Sequence, residues 1–318
     1  MQGIGCGCAT RIIVFSLIIL LVFLGIGLLF GPIGAGLGIE APSIFQVPEP
    51  HIELPSEGLF DVAGFSITNT LLASWFTIIV LVGAFYVCTR KMKLIPGRLQ
   101  GIAEMIVEAL LGFVEGAAGK KHARLLFPGV ATIFICVIAN AYLALLPFFG
   151  SVGIVGHEGE FVPLFRAANT DINVPLSIAV MSFIFVETWG MRSLGAFRYI
   201  GEFINVAQMG QGIKQLFKGK IRSAIMNIAF GFINMFAGLL EVISHLMRMV
   251  SFTFRLFGNM TAGEILVLVS CFLIPLIFTI PFYGLELLIG FIQAFIFAGL
   301  TLVFGIVAVA AREEPEES

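Results

Sequence analysis

Long apolar runs, separated by short polar segments, set the plan of this chain. Residues 12–30 form a first run of 19 residues, enough for a helix across a hydrocarbon core of about 30 Å. Two readings fit it. Arg11 before it and Gly34-Ala35-Gly36 after it resemble a signal peptide, whereas its length suits an uncleaved span or signal-anchor, which we favour. Residues 31–68 are rich in Pro and Gly and carry Glu40, Glu49, Glu53, Glu57 and Asp61 with no Lys or Arg. A second apolar run, 69–89, is followed at once by Arg90, Lys91, Lys93 and Arg98. Because Lys and Arg collect on the cytoplasmic side, the acidic segment is predicted outside and the second span crosses inward.

The pattern changes at 102–118. Glu104, Glu108 and Glu115 share one helical face, and Ile102, Met105, Ile106, Ala109, Leu110 and Phe113 share the other. This predicts an amphipathic helix lying in the membrane interface; a soluble linker helix is the alternative. Lys120, Lys121 and Arg124 follow on the inside. Residues 125–149 then cross outward to a loop, 150–171, that holds His157, Glu158 and Glu160, and 174–190 cross back. Arg192, Arg198, Lys214, Lys218, Lys220 and Arg222 mark the next cytoplasmic segment. Two long hydrophobic regions remain, 223–260 and 265–311, before an acidic tail at 312–318. Both termini come out cytoplasmic, with six spans when the first is kept. The predicted fold is all-α and polytopic, with an interfacial helix and two long tilted C-terminal helices. Two domains are expected: 1–60, the apolar segment and external acidic stretch, and 61–318, the membrane domain. There is no internal repeat of the kind inverted-repeat transporters carry.

Composition reinforces the pattern. The chain is 58% hydrophobic and 12% charged, with a mean hydropathy of +1.03. A soluble domain has about a quarter of its residues charged. Too little polar surface is present to clothe a soluble core, so lipid is the solvent for much of the chain. The basic residues form short clusters between apolar runs, not a nucleic-acid patch. Cys88, Cys136 and Cys271 sit singly in apolar stretches, and Cys6-Gly7-Cys8 lacks a ligand-spacing partner. No metal-spacing cluster, nucleophile with a paired base or phosphate loop occurs, so no catalytic site of the chain's own and no metal or organic cofactor are expected.

Candidate chemistry lies in 223–260. Thirty-eight helical residues would reach about 57 Å, so this segment either breaks or tilts strongly. Glu241, Ser244, His245, Arg248, Ser251, Arg255 and Asn259 fall within roughly a third of its circumference at 100° per residue. An Arg facing lipid at mid-membrane costs about 2.5–3.5 kcal/mol even on lenient scales, so the stripe faces protein or water. Guanidinium groups stay protonated in proteins. Arg255 therefore cannot relay protons, but it can hold a fixed positive potential. Pro275 and Pro281 interrupt the last region, and a new helix is predicted to start near Pro281. Glu286 and Gln293, seven apart, share a face of it, while Glu264 is expected near the turn between the two long helices. Cations, carboxylates and amides together in a membrane build ion pathways. A stand-alone transporter could also hold such groups, but a lone Arg on a strongly tilted helix suits a one-sided interface with a partner.

The run Phe254-Arg255-Leu256-Phe257-Gly258-Asn259-Met260-Thr261-Ala262-Gly263-Glu264 closely resembles the signature of subunit a of F-type ATP synthases. Further matches are Ile292-Gln293-Ala294-Phe295-Ile296-Phe297, Pro96-Gly97-Arg98-Leu99-Gln100 and Asn169-Thr170-Asp171-Ile172-Asn173-Val174. The resemblance runs in the same order from about Asp61 to the C-terminus. It implies a stator for proton transport, two tilted helices packed on a rotating ring of c subunits that each carry one carboxyl. Arg255 would attract each ionised carboxylate and block leakage between two offset half-channels. Asn259, Glu264, Glu286 and Gln293 match the half-channel from the outside; Glu241, Ser244 and Ser251 match the cytoplasmic one. His245 lies on the polar stripe without a family signature, as exit-pathway or packing residue. The family also implies b subunits of the peripheral stalk, the soluble F1 head and the bilayer as partners, without nucleic acid. A bacterial plasma (inner) membrane is the expected location, and protons the expected ion. Some members carry a histidine where this chain has Glu264 or Glu286, so no histidine relay is expected at those sites. The stretch Asn140 to Pro147 also departs from the family spacing, and nothing is carried over from it.

Overall fold

A computed structural model describes residues 5–38, 55–62, 64–155, 161–195, 221–275 and 277–310. Glu40, Glu49, Glu53, His157, Glu158, Glu160, Arg198, Lys214, Lys218, Lys220 and the acidic tail lie outside the described residues. The elements in order are α1 (Gly5–Phe30), α2 (Pro32–Gly36), β1 (Gly58–Val62), β2 (Phe65–Thr68), α3 (Asn69–Thr89), α4 (Arg98–Ala144), β3 (Gly153–Val155), β4 (Phe161–Pro163), α5 (Asn173–Leu194), α6 (Ile221–Leu273) and α7 (Ile280–Ala310), with a short 3-10 turn at Ala168–Thr170. Among the described residues, α3 to α7 are long and apolar enough to cross a membrane, and α1 carries a shorter apolar stretch, Ile13–Leu29. The all-α, polytopic expectation holds. Two antiparallel hairpins, β1–β2 and β3–β4, are additions that the apolar periodicity did not reveal.

Local chemistry explains the boundaries. Thr68 caps α3: its Oγ1 accepts the Leu71 amide at 3.3 Å. Gly119, at φ +69°, splits α4 into two helices, because glycine takes positive φ without a Cβ penalty. The amphipathic segment therefore ends where the sequence predicts. On it Leu110 and Val114 are buried, while Ile102, Met105 and Ile106 are exposed. The second half of α4 stops at Ala144, short of the expected 149. The chain turns there, with the Leu145 amide donating to Tyr142 O ahead of Pro147.

One expectation is corrected. The two long C-terminal helices do not divide between 260 and 265. Helix α6 continues through Gly258 and Gly263 to Leu273, 53 residues or about 80 Å of helix. Isolated glycines cost a helix about 1 kcal/mol each and do not end it. Pro275 follows the true end, and α7 begins at Ile280, as Pro281 predicts. Glu264 thus projects from within α6 rather than from a turn.

The chain divides into two compact units. The first comprises residues up to Trp75, Asn140–Asp171 and Phe257–Ile292. The two ends of its β1–β2 hairpin are tied to Asp171, whose Oδ2 accepts from Ser56 Oγ at 3.1 Å and Thr70 Oγ1 at 3.0 Å. Gly27 of α1 and Gly31 just after it approach the backbone at Leu273 and Pro275 so closely that a Cβ would collide.

The second unit comprises Phe76–Ala139, Ile172–Leu256 and Gln293–Ser318. One cluster packs Leu126 and Val130 of α4 on Ala298 and Leu302 of α7, and another joins Val137 of α4, Ala179 of α5, Leu256 of α6 and Phe297 of α7. Small residues permit these approaches: Gly129 lies against the Phe185 ring and Gly305 against Leu126. Buried hydroxyls of Ser182 and Thr301 pair at 2.7 Å, and Ser193 Oγ donates to Ala308 O at 2.8 Å, fixing α5 to α7.

Candidate functional site

In the first unit, Glu264 of α6, Glu286 of α7, Tyr283 and Arg166 line a cavity of about 130 Å³. That is room for roughly four waters at about 30 Å³ each. Arg166 reaches in from the segment after β4. Its Nε donates to both carboxylate oxygens of Glu264, at 3.2 and 3.3 Å, and its Nη1 donates to Pro55 O at 3.1 Å. The Arg166 side chain is only 10% exposed, so this pair is shielded in a way that surface pairs are not. Glu286 differs. It is 5% exposed, its carboxylate presses on Gly263 where a Cβ would collide, and its Oε1 has no hydrogen-bond partner. Buried amides of Asn69 and Asn169, with the hydroxyls of Thr261 and Thr279, are likewise unpaired in this unit. Buried polar atoms are normally satisfied by protein or ordered water. Asn259 stands exposed on α6.

In the second unit, the polar stripe of α6 splits. His245 Nδ1 lies 2.9 Å from Glu187 Oε1 on α5, and its ring sits edge-on to Phe183. Arg248 stacks over the Phe304 ring of α7, 3.1 Å from its centroid. These two side chains face the interior of the unit. Glu241, Ser244 and Ser251 are exposed beside the apolar and equally exposed Leu240, Met247 and Phe254. Arg255 is half-buried, and among the described residues of its unit no side chain forms an ion pair with it. Gln293 of α7 is 4% exposed, with an unpaired Nε2.

Every predicted site residue is therefore described. Glu264 and Glu286 share one cavity, His245 gains a carboxylate partner, and Glu241, Ser244 and Ser251 are left on an open face. Sequence reasoning missed Arg166, Glu187 and Gly263. A signal existed for Glu187, since a single acid inside an apolar span is a functional candidate by default. None existed for Arg166, whose loop carries no periodicity and whose partner lies 98 residues away.

Comparison with known proteins bears on the whole arrangement. Residues 71–305 match the family described as ATP synthase A chain. The chain is 28% identical over 246 residues to ATP synthase subunit a of Moorella thermoacetica, covering 77% of this chain and 93% of that relative. It is 31% identical over 238 residues to ATP synthase subunit a of Campylobacter curvus, covering 74% and 87%. With that of Campylobacter concisus it shares 32% over 240 residues, covering 74% and 88%. The matched span holds Arg255, the Glu264–Glu286 cavity and all five long apolar helices but the first residues of α3 and the last of α7, and on these grounds the chain belongs to the ATP synthase A chain family.

Proposed function

We propose that this chain is the stator proton-channel subunit of a rotary F-type ATP synthase, coupling proton flow to rotation of a c-subunit ring and so to ATP synthesis. The observation that carries the reading is Arg255, a cation on a membrane-length helix with no ion-pair partner among the described residues of its own unit and with exposed Phe254 beside it. A cation at such depth needs an anion, and a carboxylate of a c subunit supplies it from another chain. A c-subunit carboxyl facing lipid stays neutral, because an ion there is prohibitively costly. Beside Arg255 the ionised form is favoured. Rotation between the two settings moves one proton per subunit, and the guanidinium stops protons passing directly between the two sides.

Two offset half-channels feed this point. Asn259, Glu264, Glu286 and Gln293 line the outer one; the unpaired amide of Gln293 and carboxylate oxygen of Glu286 support a hydrated path. Glu241, Ser244, Ser251 and His245 line the cytoplasmic one, with Glu187 added as the partner of His245. Residues 61–318 form the membrane domain and 1–60 an appended segment. The c ring, the b subunits of the peripheral stalk and the F1 head are the partners, in a bacterial plasma membrane with the C-terminus cytoplasmic.

Purification in mild detergent tests the assembly. The chain is expected to co-migrate with a c ring and the soluble ATPase head. A lone chain that transports solute by itself would refute the reading. A second expectation concerns Gly263→Val. The added side chain must displace the Glu286 carboxylate, and overpacking of this kind costs about 1–3 kcal/mol. Proton-driven ATP synthesis in membrane vesicles should drop several-fold while the subunit still assembles, as judged by its abundance in the purified complex.

A further inference from the structure

Two carboxylates share the first unit's cavity, yet their surroundings are unequal. Glu264 receives the Arg166 guanidinium on both oxygens, at 3.2 and 3.3 Å. Among the described residues Glu286 receives no cation, and its buried Oε1 is unpaired. Among the described residues, the other titratable group lining the cavity is Tyr283, which is neutral when protonated. With both carboxyls ionised, Arg166 leaves the cavity with a net charge of −1. Binding a single proton then makes it neutral. Without Arg166 the same two carboxylates carry −2, and two protons are needed for neutrality. In a low-dielectric interior an uncompensated charge is expensive, so the number of protons held is governed by this count. Interacting carboxyls of this kind titrate as a pair, not as two independent sites.

We propose that Arg166 is a positioning residue of the outer proton path: it holds Glu264 as a fixed, compensated charge, so that Glu286 alone takes up and passes on one proton at a time. The inference rests on the outer half-channel reading above and assigns unequal work to the two carboxyls within it. The anchor to Pro55 O fixes the guanidinium from its other side, so Arg166 cannot follow a proton through the cavity. Glu264 serves as the static counter-charge, and Glu286, pressed on Gly263 and open to the cavity, is the side chain whose charge changes.

The charge count gives the test. In the assembled complex, Arg166→Gln leaves −2 in the cavity and is expected to slow proton-driven ATP synthesis about tenfold, as well as passive proton flux through vesicles stripped of the ATPase head. Arg166→Lys keeps the count and should retain at least half of the rate. Adding Glu264→Gln to Arg166→Gln restores a net −1 and should raise the rate several-fold above that of Arg166→Gln alone, with an external-pH profile moved back towards wild type. A residue that merely braces the loop predicts the reverse, since the double variant loses two contacts. Wild-type rates in Arg166→Gln would overturn the proposal. So would a double variant no faster than Arg166→Gln, or failure of both to assemble. Arg255→Ala in the same membranes separates the two levels: if it too leaves synthesis intact, the stator reading itself has failed, whereas loss there with wild-type Arg166→Gln sinks only the present proposal.

Discussion

Arg255→Ala is expected to abolish proton-driven ATP synthesis, lowering the rate in membrane vesicles by more than about 100-fold. Among the described residues of its own unit the guanidinium has no ion-pair partner, so its charge is available to a carboxylate from another chain. Leaving the incoming carboxylate unpaired at membrane depth costs about 3–5 kcal/mol, and each 1.36 kcal/mol is a factor of ten in rate. The carboxylate would then stay protonated as it passes, and the ring would gain no impulse from that site. Loss of the fixed positive barrier should also let protons cross without rotation, which passive flux measurements would detect as a leak. Arg255→Lys is expected to restore little, because a compact, strongly hydrated ammonium gives a different donor geometry. The packing around Arg255 is independent of its charge: Phe252 and Leu256, on either side of it along α6, are buried in the core of the second unit. Assembly should therefore survive the substitution. Synthesis at wild-type rate in Arg255→Ala would end the stator reading.

Glu286→Leu is expected to have the next largest effect, a loss of synthesis of at least about tenfold, or roughly 1.4 kcal/mol. Leucine fills the site without titrating, and it removes the one carboxyl of the cavity that no cation compensates. Glu286→Gln separates charge from packing, since it preserves shape and one acceptor. The two variants should be impaired alike if proton exchange is the function. If Glu286→Gln kept the wild-type rate, the side chain would be a packing element against Gly263 and nothing more. Glu286→His is expected to recover part of the activity, because imidazole also exchanges protons near neutral pH.

Much of this molecule was legible in the residues because a bilayer imposes simple rules. Span length, the Lys and Arg clusters and the amphipathic stretch at 102–118 predicted α3 to the residue, α5 to within four residues and an end of the amphipathic helix beside Gly119. Each of these depends on local propensity and on a solvent that changes sharply across a short distance. The start of α7 at Pro281 was equally local. Where the reading slipped, at the end of α6, the two long hydrophobic regions were divided between 260 and 265, with Glu264 near the turn. The helix continues there, and the bare Gly263 lets the Glu286 side chain of α7 lie against its backbone. The glycine serves a tertiary contact, and its local cost is a poor guide to the backbone path.

Arg255, Glu264, Glu286 and Gln293 were also visible as candidates from the sequence alone, since charged and amide groups inside apolar runs are costly wherever they occur. Their partners were not. Arg166 meets Glu264 across 98 residues, and His245 meets Glu187 across 58. Neither pairing has a period, because each is created when separate helices and loops pack side by side. The sequence by itself determined that this is a membrane protein, where its long apolar helices lie and which polar residues are costly in lipid. Only the tertiary structure decided which of those residues are compensated and which are left free, because compensation depends on distance between charges that the chain order does not encode.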